Sequence, residues 1–153
     1  MEIKFYKPNV TDIPAMQELV KAEVENGNIL LRTEDEMANT IRSYIIVQVD
    51  GQIAGFTALH IHSARLAEVR SLVVSKQYRG FELGNKLVDE CIKEAKVYKL
   101  EQVLSLTYAK SFFEKSGFRV IEKEAIPEHK IWADCIRCKH FPICDEIAMV
   151  FDL

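Results

Sequence analysis

Glycine and proline are scarce in this sequence of 153 residues, which has six glycines and four prolines. Their scarcity excludes collagen-like and low-complexity chains, and a composition that is 48% hydrophobic and 28% charged is typical of a folded domain. No apolar run approaches the roughly 20 residues needed to span a bilayer. Charges interrupt the N-terminal "MEIKFYKPNV", which therefore lacks a signal-peptide core. We expect a cytoplasmic protein with no membrane partner, built as one domain over residues 1–153.

An excess of charge of either sign is also absent. The formal net charge of −3 gives no general reason to expect nucleic acid as a partner. Cysteine is limited to four residues, and thiols stay reduced in the cytoplasm, so a disulfide framework is not expected. The sequence does not determine the oligomeric state, and a homodimer is left open.

The hydrophobic periodicity predicts alternating strands and helices. Strands are predicted in "EIKFYKP", "YIIVQVDGQIAGFTALHIH", "LAEVRSLVVS", "EQVLSLTY", "FRVIEKE" and "EIAMVFDL". The pair Asp50-Gly51 predicts a hairpin within the second of these segments. Helices are predicted in "TDIPAMQELVKAEVENG", "TEDEMANTIRS", "GNKLVDECIKEAKVYKL" and "KSFFEKSG". With residues 125–145 irregular, we expect a mixed α/β layer fold.

Local residues predict how three of these helices begin or pack. We expect Thr11 or Asp12 to cap the first helix. Thr33 and Glu36 have the spacing of a capping box at the start of the second. The long third helix has apolar positions spaced to face a core, and these are Leu83, Leu87, Val88, Cys91, Ile92 and Ala95.

The stretch "YRGFELGNKL" follows a predicted strand and opens the third helix, from about Phe81. The first turn of a helix binds phosphate through unpaired N–H groups and the positive end of the helix dipole. Gly80 and Gly84 would let a ligand approach the backbone, and Arg79 adds a fixed charge. The stretch lacks the first glycine of a dinucleotide fingerprint and the Gly-Lys-Ser/Thr of a nucleotide triphosphate loop. Glu82 is unexpected, because its carboxylate would repel an anion.

The segment "RGFELG", residues 79–84, resembles the pyrophosphate motif Gln/Arg-x-x-Gly-x-Gly/Ala of the GNAT superfamily of N-acetyltransferases. It matches at the first and last positions and departs at the fourth, Glu82. The later "FFEKSGF" is similar to the "YEKxGF" block of that family, and the element order agrees over nearly the whole chain. The resemblance implies a mixed central sheet flanked by helices, and acetyl-CoA as co-substrate.

The resemblance also implies which residues hold the cofactor. The strand before the loop would supply backbone groups to the pantetheine arm and thioester, and the loop would bind the pyrophosphate mainly through backbone N–H groups. Glu82 keeps its N–H, and we expect its side chain to turn sideways into solvent. The implied cofactor-binding residues are Leu72, Val73, Val74, Arg79, Gly80, Phe81, Glu82, Leu83, Gly84 and Asn85.

Acetyl transfer to an amine needs a base and a group that protonates the departing thiolate. In the resembled family a carboxylate on the cofactor strand often acts as base, and Glu68 is that residue here. Strand alternation puts Glu68 and Arg70 on one face, so a purely structural ion pair is the alternative. In many relatives a tyrosine protonates the departing thiolate, and this chain has Phe113 at that position. Tyr108 is the nearest substitute, or else a packed tyrosine at a strand end.

Within the superfamily, the chain most resembles short amino-acid N-acetyltransferases of the N-acetylglutamate synthase kind. The similar stretches are "NILLRTEDEMANTIRSYIIVQVDGQIAGFTALH", "AEVRSLVVSKQYRG" and "HKIWADCIRCKHFPICDEIAMV". This implies transfer of acetyl to the α-amine of L-glutamate, the first step of arginine biosynthesis, by direct attack in a ternary complex. A dicarboxylate acceptor needs two cationic anchors, for which Arg32 and Arg70 are the candidates. A solvated Arg32 is the alternative.

Three cysteines and a histidine near the C-terminus, Cys135, Cys138, His140 and Cys144, could together close a tetrahedral zinc site. The paired CxxC spacing of a strong zinc motif is missing, so small buried apolar cysteines are the alternative. Two other functions also stay open at this point. One is the same chemistry on another amino acid, a polyamine or a protein N-terminus. The other is a non-catalytic module that binds acyl-CoA or metal.

Overall fold

A single seven-stranded sheet forms the centre of the computed structural model, which describes residues 1–25, 32–122, 125–126 and 146–153. Its strands lie in the order β1-β2-β3-β4-β5-β7-β6. Their bounds are β1 Ile3–Tyr6, β2 Tyr44–Val49, β3 Gln52–Ile61, β4 Leu66–Val74, β5 Gln102–Thr107, β6 Arg119–Ile121 and β7 Ile147–Asp152. Strands β4 and β5 run parallel, and the other neighbouring pairs run antiparallel. The expected mixed sheet is confirmed.

In the described part of the chain, four α-helices cover the two faces of this sheet. They are α1 Ile13–Glu25, α2 Glu34–Asn39, α3 Leu83–Val97 and α4 Lys110–Lys115. Helix α3 buries all six of its predicted core positions against one face, together with Val47, Leu59 and Val103 of the strands. On the other face, Ile13 and Met16 of α1 pack with strand residues such as Phe56. The apolar pattern of α3 therefore predicted its packing correctly.

Three local predictions, a hairpin, a capping box and the cap of the first helix, can be compared with the structure, and the first two are confirmed. Asp50 and Gly51 have φ values of 50° and 83° at the predicted hairpin, as a tight two-residue turn requires. The predicted capping box is present, with Glu36 N–H donating to Thr33 Oγ1 at 3.1 Å. The expected first cap is wrong by one turn. A short 3-10 turn precedes α1, and Asn9 caps that turn instead.

A break in strand pairing separates β4 from β5. The parallel pairing runs from Leu66–Gln102 to Glu68–Leu104, at the first half of each strand. The β3–β4 register shifts between Phe56 and Ala58, and Ser71 in β4 has a positive φ of 55°. This bulge bends β4. Beyond it, β4 continues beside β3 while β5 continues beside β7, so a gap opens between their carboxyl ends.

A buried side chain stabilises the bulge. Thr57 on β3 is 0% exposed, and its hydroxyl donates to the Arg70 carbonyl at 2.9 Å. Gly55 on the same strand also permits the close approach, because a Cβ there would lie 2.5 Å from the carbonyl oxygen of Val73. Together they let β3 follow the bent half of β4.

Replacing Thr57 with valine should destabilise the fold. The variant keeps the side-chain shape but leaves the Arg70 carbonyl without that donor beside a fully buried position, which costs about 1–3 kcal/mol. Urea unfolding followed by circular dichroism measures the change. Thr11→Val also removes a hydroxyl hydrogen bond, to Asn9 Oδ1, but an exposed one, and is the control, with an expected loss below about 1 kcal/mol. Equal stability of Thr57→Val and the native chain would contradict this role for the hydroxyl.

Candidate active site

A pocket beside β4 brings together the two predicted carboxylate anchors. Arg32 stands just before α2, and Arg70 stands on β4 before the bulge. Both line the pocket, whose remaining wall comes from α2, the turn that follows it, and strands β2 and β3. These other lining residues are Glu36, Thr40, Ser43, Tyr44, Ala58 and His60.

Tyr44 also lines this pocket, a role that the sequence did not predict. It is 4% exposed, and burial raises the pKa of its phenol, while the nearby Arg32 and Arg70 charges oppose that shift. The hydroxyl therefore stays protonated at neutral pH and can donate a hydrogen bond. Tyr44 opens a strand that looks uniformly apolar, so its sequence context gave no signal of a polar role.

Glu68 lies in a buried polar cluster next to the pocket. Its side chain is 5% exposed, and Oε1 accepts from Arg70 Nε at 3.0 Å. His62 Nε2 lies 2.9 Å from the same oxygen. The predicted shared face of Glu68 and Arg70 is correct, and the ion pair offered as the structural alternative is present. His62 was missed, because His-Ile-His in a strand resembles ordinary alternation.

His60 connects this cluster to the pocket. Its ring packs edge-on against that of His62, with centroids 4.6 Å apart and planes at 72°. His60 also pairs with Glu68 across the β3–β4 ladder. A carboxylate, two imidazoles and a guanidinium therefore form one contiguous group, of which His60 and Arg70 reach the pocket wall.

The predicted cofactor segment begins just beyond the bulge. Leu72 and Val74 are half-buried and Val73 is buried, at the point where β4 has left β5. A 3-10 turn follows, and Arg79 then donates from Nε to the Val74 carbonyl at 3.4 Å. Gly80 has a φ of 95°, which favours glycine in this turn. Phe81 is 45% exposed.

Helix α3 begins at Leu83, two residues later than expected, with Glu82 in a left-handed conformation as its N-cap. Amides in the first turn have no partner within a helix and remain available to an anion. Gly84 has a packing reason as well, because a Cβ there would lie 3.1 Å from the Phe112 ring. The Asn85 side chain donates to Ser116 Oγ at 2.8 Å and so links α3 to α4.

The Glu82 side chain points towards α4. It is exposed, and its carboxylate accepts from Lys115 Nζ at 2.5 Å. The hydrogen bond and charge of Lys115 lower the pKa of Glu82. The side chain is thus directed sideways, as expected, and the positive charge of Lys115 offsets its negative charge.

The aromatic residues after β5 differ in environment. Tyr108 follows the end of β5, where β4 and β5 have separated, and is 45% exposed. Phe113 is 4% exposed and packs edge-on against Phe112 and Phe118. Its position in this cluster makes it a core residue.

Of the four cysteines, only Cys91 lies within the described residues. Cys135, Cys138, His140 and Cys144 lie outside the described residues, so the zinc hypothesis stays a prediction. In the part of the chain that the structure does describe, no group of three or more His, Cys, Asp or Glu side chains could hold a metal ion. Cys91 is buried, and burial raises the pKa of its thiol to about 12, in keeping with the expected core role.

Among the described helices, none has the length and apolar character needed to cross a bilayer.

Comparison with known proteins identifies the family. Residues 18–133 match the family model of the acetyltransferase (GNAT) domain, and the chain belongs to this family. It is 33% identical over 141 residues to an uncharacterized N-acetyltransferase of Chlorobaculum tepidum, covering 92% of this chain and 90% of that protein. It is 30% identical over 125 residues to an amino-acid acetyltransferase of Mycobacterium tuberculosis, covering 76% and 68%.

A solved structure agrees with the fold. N-acetylglutamate synthase from Neisseria gonorrhoeae, in complex with coenzyme A and N-acetyl-glutamate, superimposes with a TM-score of 0.87 at 24% sequence identity. The match covers 100% of this chain but 35% of the Neisseria chain, so this chain spans about a third of that protein's length. The predicted family and its mixed α/β fold are confirmed.

Replacing Glu82 with glycine should tighten acetyl-CoA binding about two- to fivefold, since it removes a negative charge from the start of α3. It also relieves the left-handed backbone at this position, a gain that should exceed the loss of the exposed ion pair with Lys115, so the melting temperature should rise. Calorimetric titration with acetyl-CoA and a thermal melt measure the two effects.

Glu82→Ala is the matched control, because it removes the charge but keeps a Cβ at positive φ. We expect alanine to tighten binding as glycine does, without the gain in melting temperature. Unchanged or weaker acetyl-CoA binding in both variants would mean that Glu82 lies away from the phosphates.

Proposed function

We propose that this chain transfers the acetyl group of acetyl-CoA to the α-amine of L-glutamate, by direct attack in a ternary complex. The observation that carries the proposal is the presence of Arg32 and Arg70 in the wall of one pocket beside β4. The family membership and the amino-acid acetyltransferase among the relatives support it. The product would be the first intermediate of arginine biosynthesis.

The pocket chemistry suits an acceptor with two carboxylates. Guanidinium groups bind carboxylates through two parallel hydrogen bonds, and two of them can hold both ends of a dicarboxylate. Glu36 adds a negative charge to the wall, but its carboxylate accepts from the Thr33 N–H in the capping box at 3.1 Å. The protonated Tyr44 hydroxyl adds a neutral donor. An acidic amino acid therefore fits this wall better than a polyamine does.

The bent half of β4 suits the acetyl donor. In the proposed complex the pantetheine arm lies along Leu72, Val73 and Val74, where β4 no longer pairs with β5. The pyrophosphate lies at the amides that begin α3, with Arg79 beside it. Arg70 stands just before the bulge and these backbone groups just after it, so acceptor and thioester would meet along one strand.

The reaction then follows from the chemistry of a thioester and an amine. The acceptor ammonium loses one proton to a base, and its lone pair attacks the thioester carbon. The C–N bond forms and the C–S bond breaks. The departing sulfur takes a proton, for which Tyr108 is the proposed donor. The new amide nitrogen releases its second proton to solvent, which restores Tyr108.

The first test is free-thiol release from acetyl-CoA with a panel of amino acids and polyamines at pH 7–9. We expect glutamate to be turned over well above glutamine, which lacks the second carboxylate, and above aspartate, whose two carboxylates are one methylene closer together. Preference for another amino acid would keep the reaction and change the acceptor. Acetyl-CoA binding with no thiol release from any amine would support a module that only binds.

The anchors can be tested separately. Arg32→Gln should raise the KM for glutamate roughly 10–100-fold, the loss expected for hydrogen bonds to a charged group. Arg70→Gln should raise KM and also lower kcat, because Arg70 holds Glu68 as well. Arg65→Gln changes an exposed arginine and is the control. Wild-type glutamate kinetics in both pocket variants would remove these arginines from acceptor binding.

A further inference from the structure

His60 near the end of β3 and His62 just after it are the chemical groups of the site that the proposed reaction has not used. His60 lines the acceptor pocket together with Arg32 and Arg70. His62 lies behind it, with a side chain 4% exposed, and bonds to Glu68. The two rings touch edge-on, so the position of one constrains the position of the other.

Glu68 is poorly arranged to take a proton directly from an amine. Its Oε1 already meets two nitrogen groups, Arg70 Nε at 3.0 Å and His62 Nε2 at 2.9 Å. Glu68 is also not among the residues that line the pocket, and its side chain is 5% exposed, so little of it faces a bound ammonium. A carboxylate held by two partners in a buried site is better suited to fixing the positions of those partners.

His60 is better placed for proton transfer. Its imidazole lines the pocket where the proposed acceptor binds, and imidazole is the side chain best matched to proton exchange near neutral pH. Behind it, the edge-on contact with His62 limits rotation of the ring. The cross-strand pairing of His60 with Glu68 sets the same arrangement from the backbone.

We propose that His60 accepts the proton of the acceptor ammonium, and that His62 is a positioning residue that fixes the His60 ring and the Glu68 carboxylate. This inference rests on the proposed acetyl transfer. The N–H bond of the ammonium breaks and a bond forms to a ring nitrogen of His60, which becomes imidazolium. The freed lone pair attacks the thioester, and His60 later returns its proton to solvent.

Several ionisable groups surround this imidazole and will shape its titration. They come from the residue after β3, from β4 and β2, and from the segment around α2, and are His62, Glu68, Arg70, Tyr44, Arg32 and Glu36. Of these, Glu68 and Arg70 neutralise each other as an ion pair. The test therefore follows how turnover changes with pH and does not assume one pKa.

The decisive variant is His60→Gln, studied by thiol release between pH 5.5 and 9 with the best acceptor from the panel. We expect kcat to fall about 10²–10⁴-fold, and the acidic limb of the kcat profile to disappear. Acetyl-CoA affinity by calorimetry should stay unchanged. Lys93→Gln, an exposed change on α3, is the control that should keep the native profile.

Imidazole rescue separates proton transfer from a structural effect. His60→Ala leaves space at the pocket wall, and added imidazole should restore part of the lost kcat in proportion to its concentration. The same imidazole should not help Lys93→Gln. Circular dichroism and a thermal melt establish that each variant is folded. If His60→Gln fails to fold, kcat of His60→Asn is measured over the same pH range in its place.

His62 needs a different comparison because it acts through its neighbours. His62→Gln can still donate to Glu68 from its amide nitrogen, whereas His62→Leu cannot. We expect kcat to fall in the order native, Gln, Leu, while the KM for acetyl-CoA stays the same. Glu68→Gln should also lower kcat while keeping the acidic limb that His60 provides.

The outcomes distinguish this inference from the function beneath it. The native protein could turn over an acceptor while His60→Gln keeps either the acidic limb or more than about a tenth of kcat. That result would overturn the role of His60 alone. Failure of imidazole to rescue a folded His60→Ala would do the same. Native protein that releases no thiol with any amine would overturn the proposed function and this inference together.

Discussion

Beyond Glu68, β4 turns away from β5, because Ser71 takes a left-handed backbone conformation and the register with β3 shifts. The Arg70 carbonyl at this bend accepts from the buried Thr57 hydroxyl, which satisfies a group that the bend takes out of the regular ladder. Charged side chains stand before the bulge, and the segment Leu72–Val74 stands after it. One irregularity thus divides a nine-residue strand into two parts with different chemistry.

The polar cluster of Glu68, Arg70 and His62 is largely buried, so each charged member depends on its partners for stabilisation. A buried carboxylate is costly unless charge and hydrogen bonds compensate it, and Glu68 has Arg70 and His62 for this purpose. Removing one partner leaves the remaining charge in a poorly solvated place. Arg70 is held at the same time to Glu68 and to the pocket wall, so the acceptor pocket and the buried cluster share one side chain.

Local rules were enough for the features that depend on neighbouring residues. The hairpin at Asp50-Gly51, the capping box of α2 and the apolar face of α3 each follow from spacing within a few residues. The first cap was misplaced because Asn9 begins a 3-10 turn that helix periodicity does not distinguish from the helix itself. The family resemblance predicted the fold, which is confirmed, while the cofactor loop that it implies stays a prediction.

Residues whose role depends on strand register were not predictable. His62 meets Glu68 only because β3 and β4 pair in one alignment, and Tyr44 reaches the pocket only through tertiary packing. Ser71 gave no signal, since positive φ is usually marked by glycine or asparagine. The packing of Gly84 against Phe112 also depends on tertiary structure, while its predicted role beside a ligand stays a prediction.

Three contacts join the start of α3 to α4: the Glu82–Lys115 ion pair, the Asn85–Ser116 hydrogen bond and the fit of Gly84 against Phe112. The amides at this helix end are therefore held in place by the fold itself, before any anion arrives. The entropy of ordering them is lost during folding and not again on association, so a ligand at this end keeps more of its gross interaction energy as affinity. Substitutions at Phe112 or Ser116 would therefore weaken the binding of such a ligand, although neither residue is among those expected to contact it.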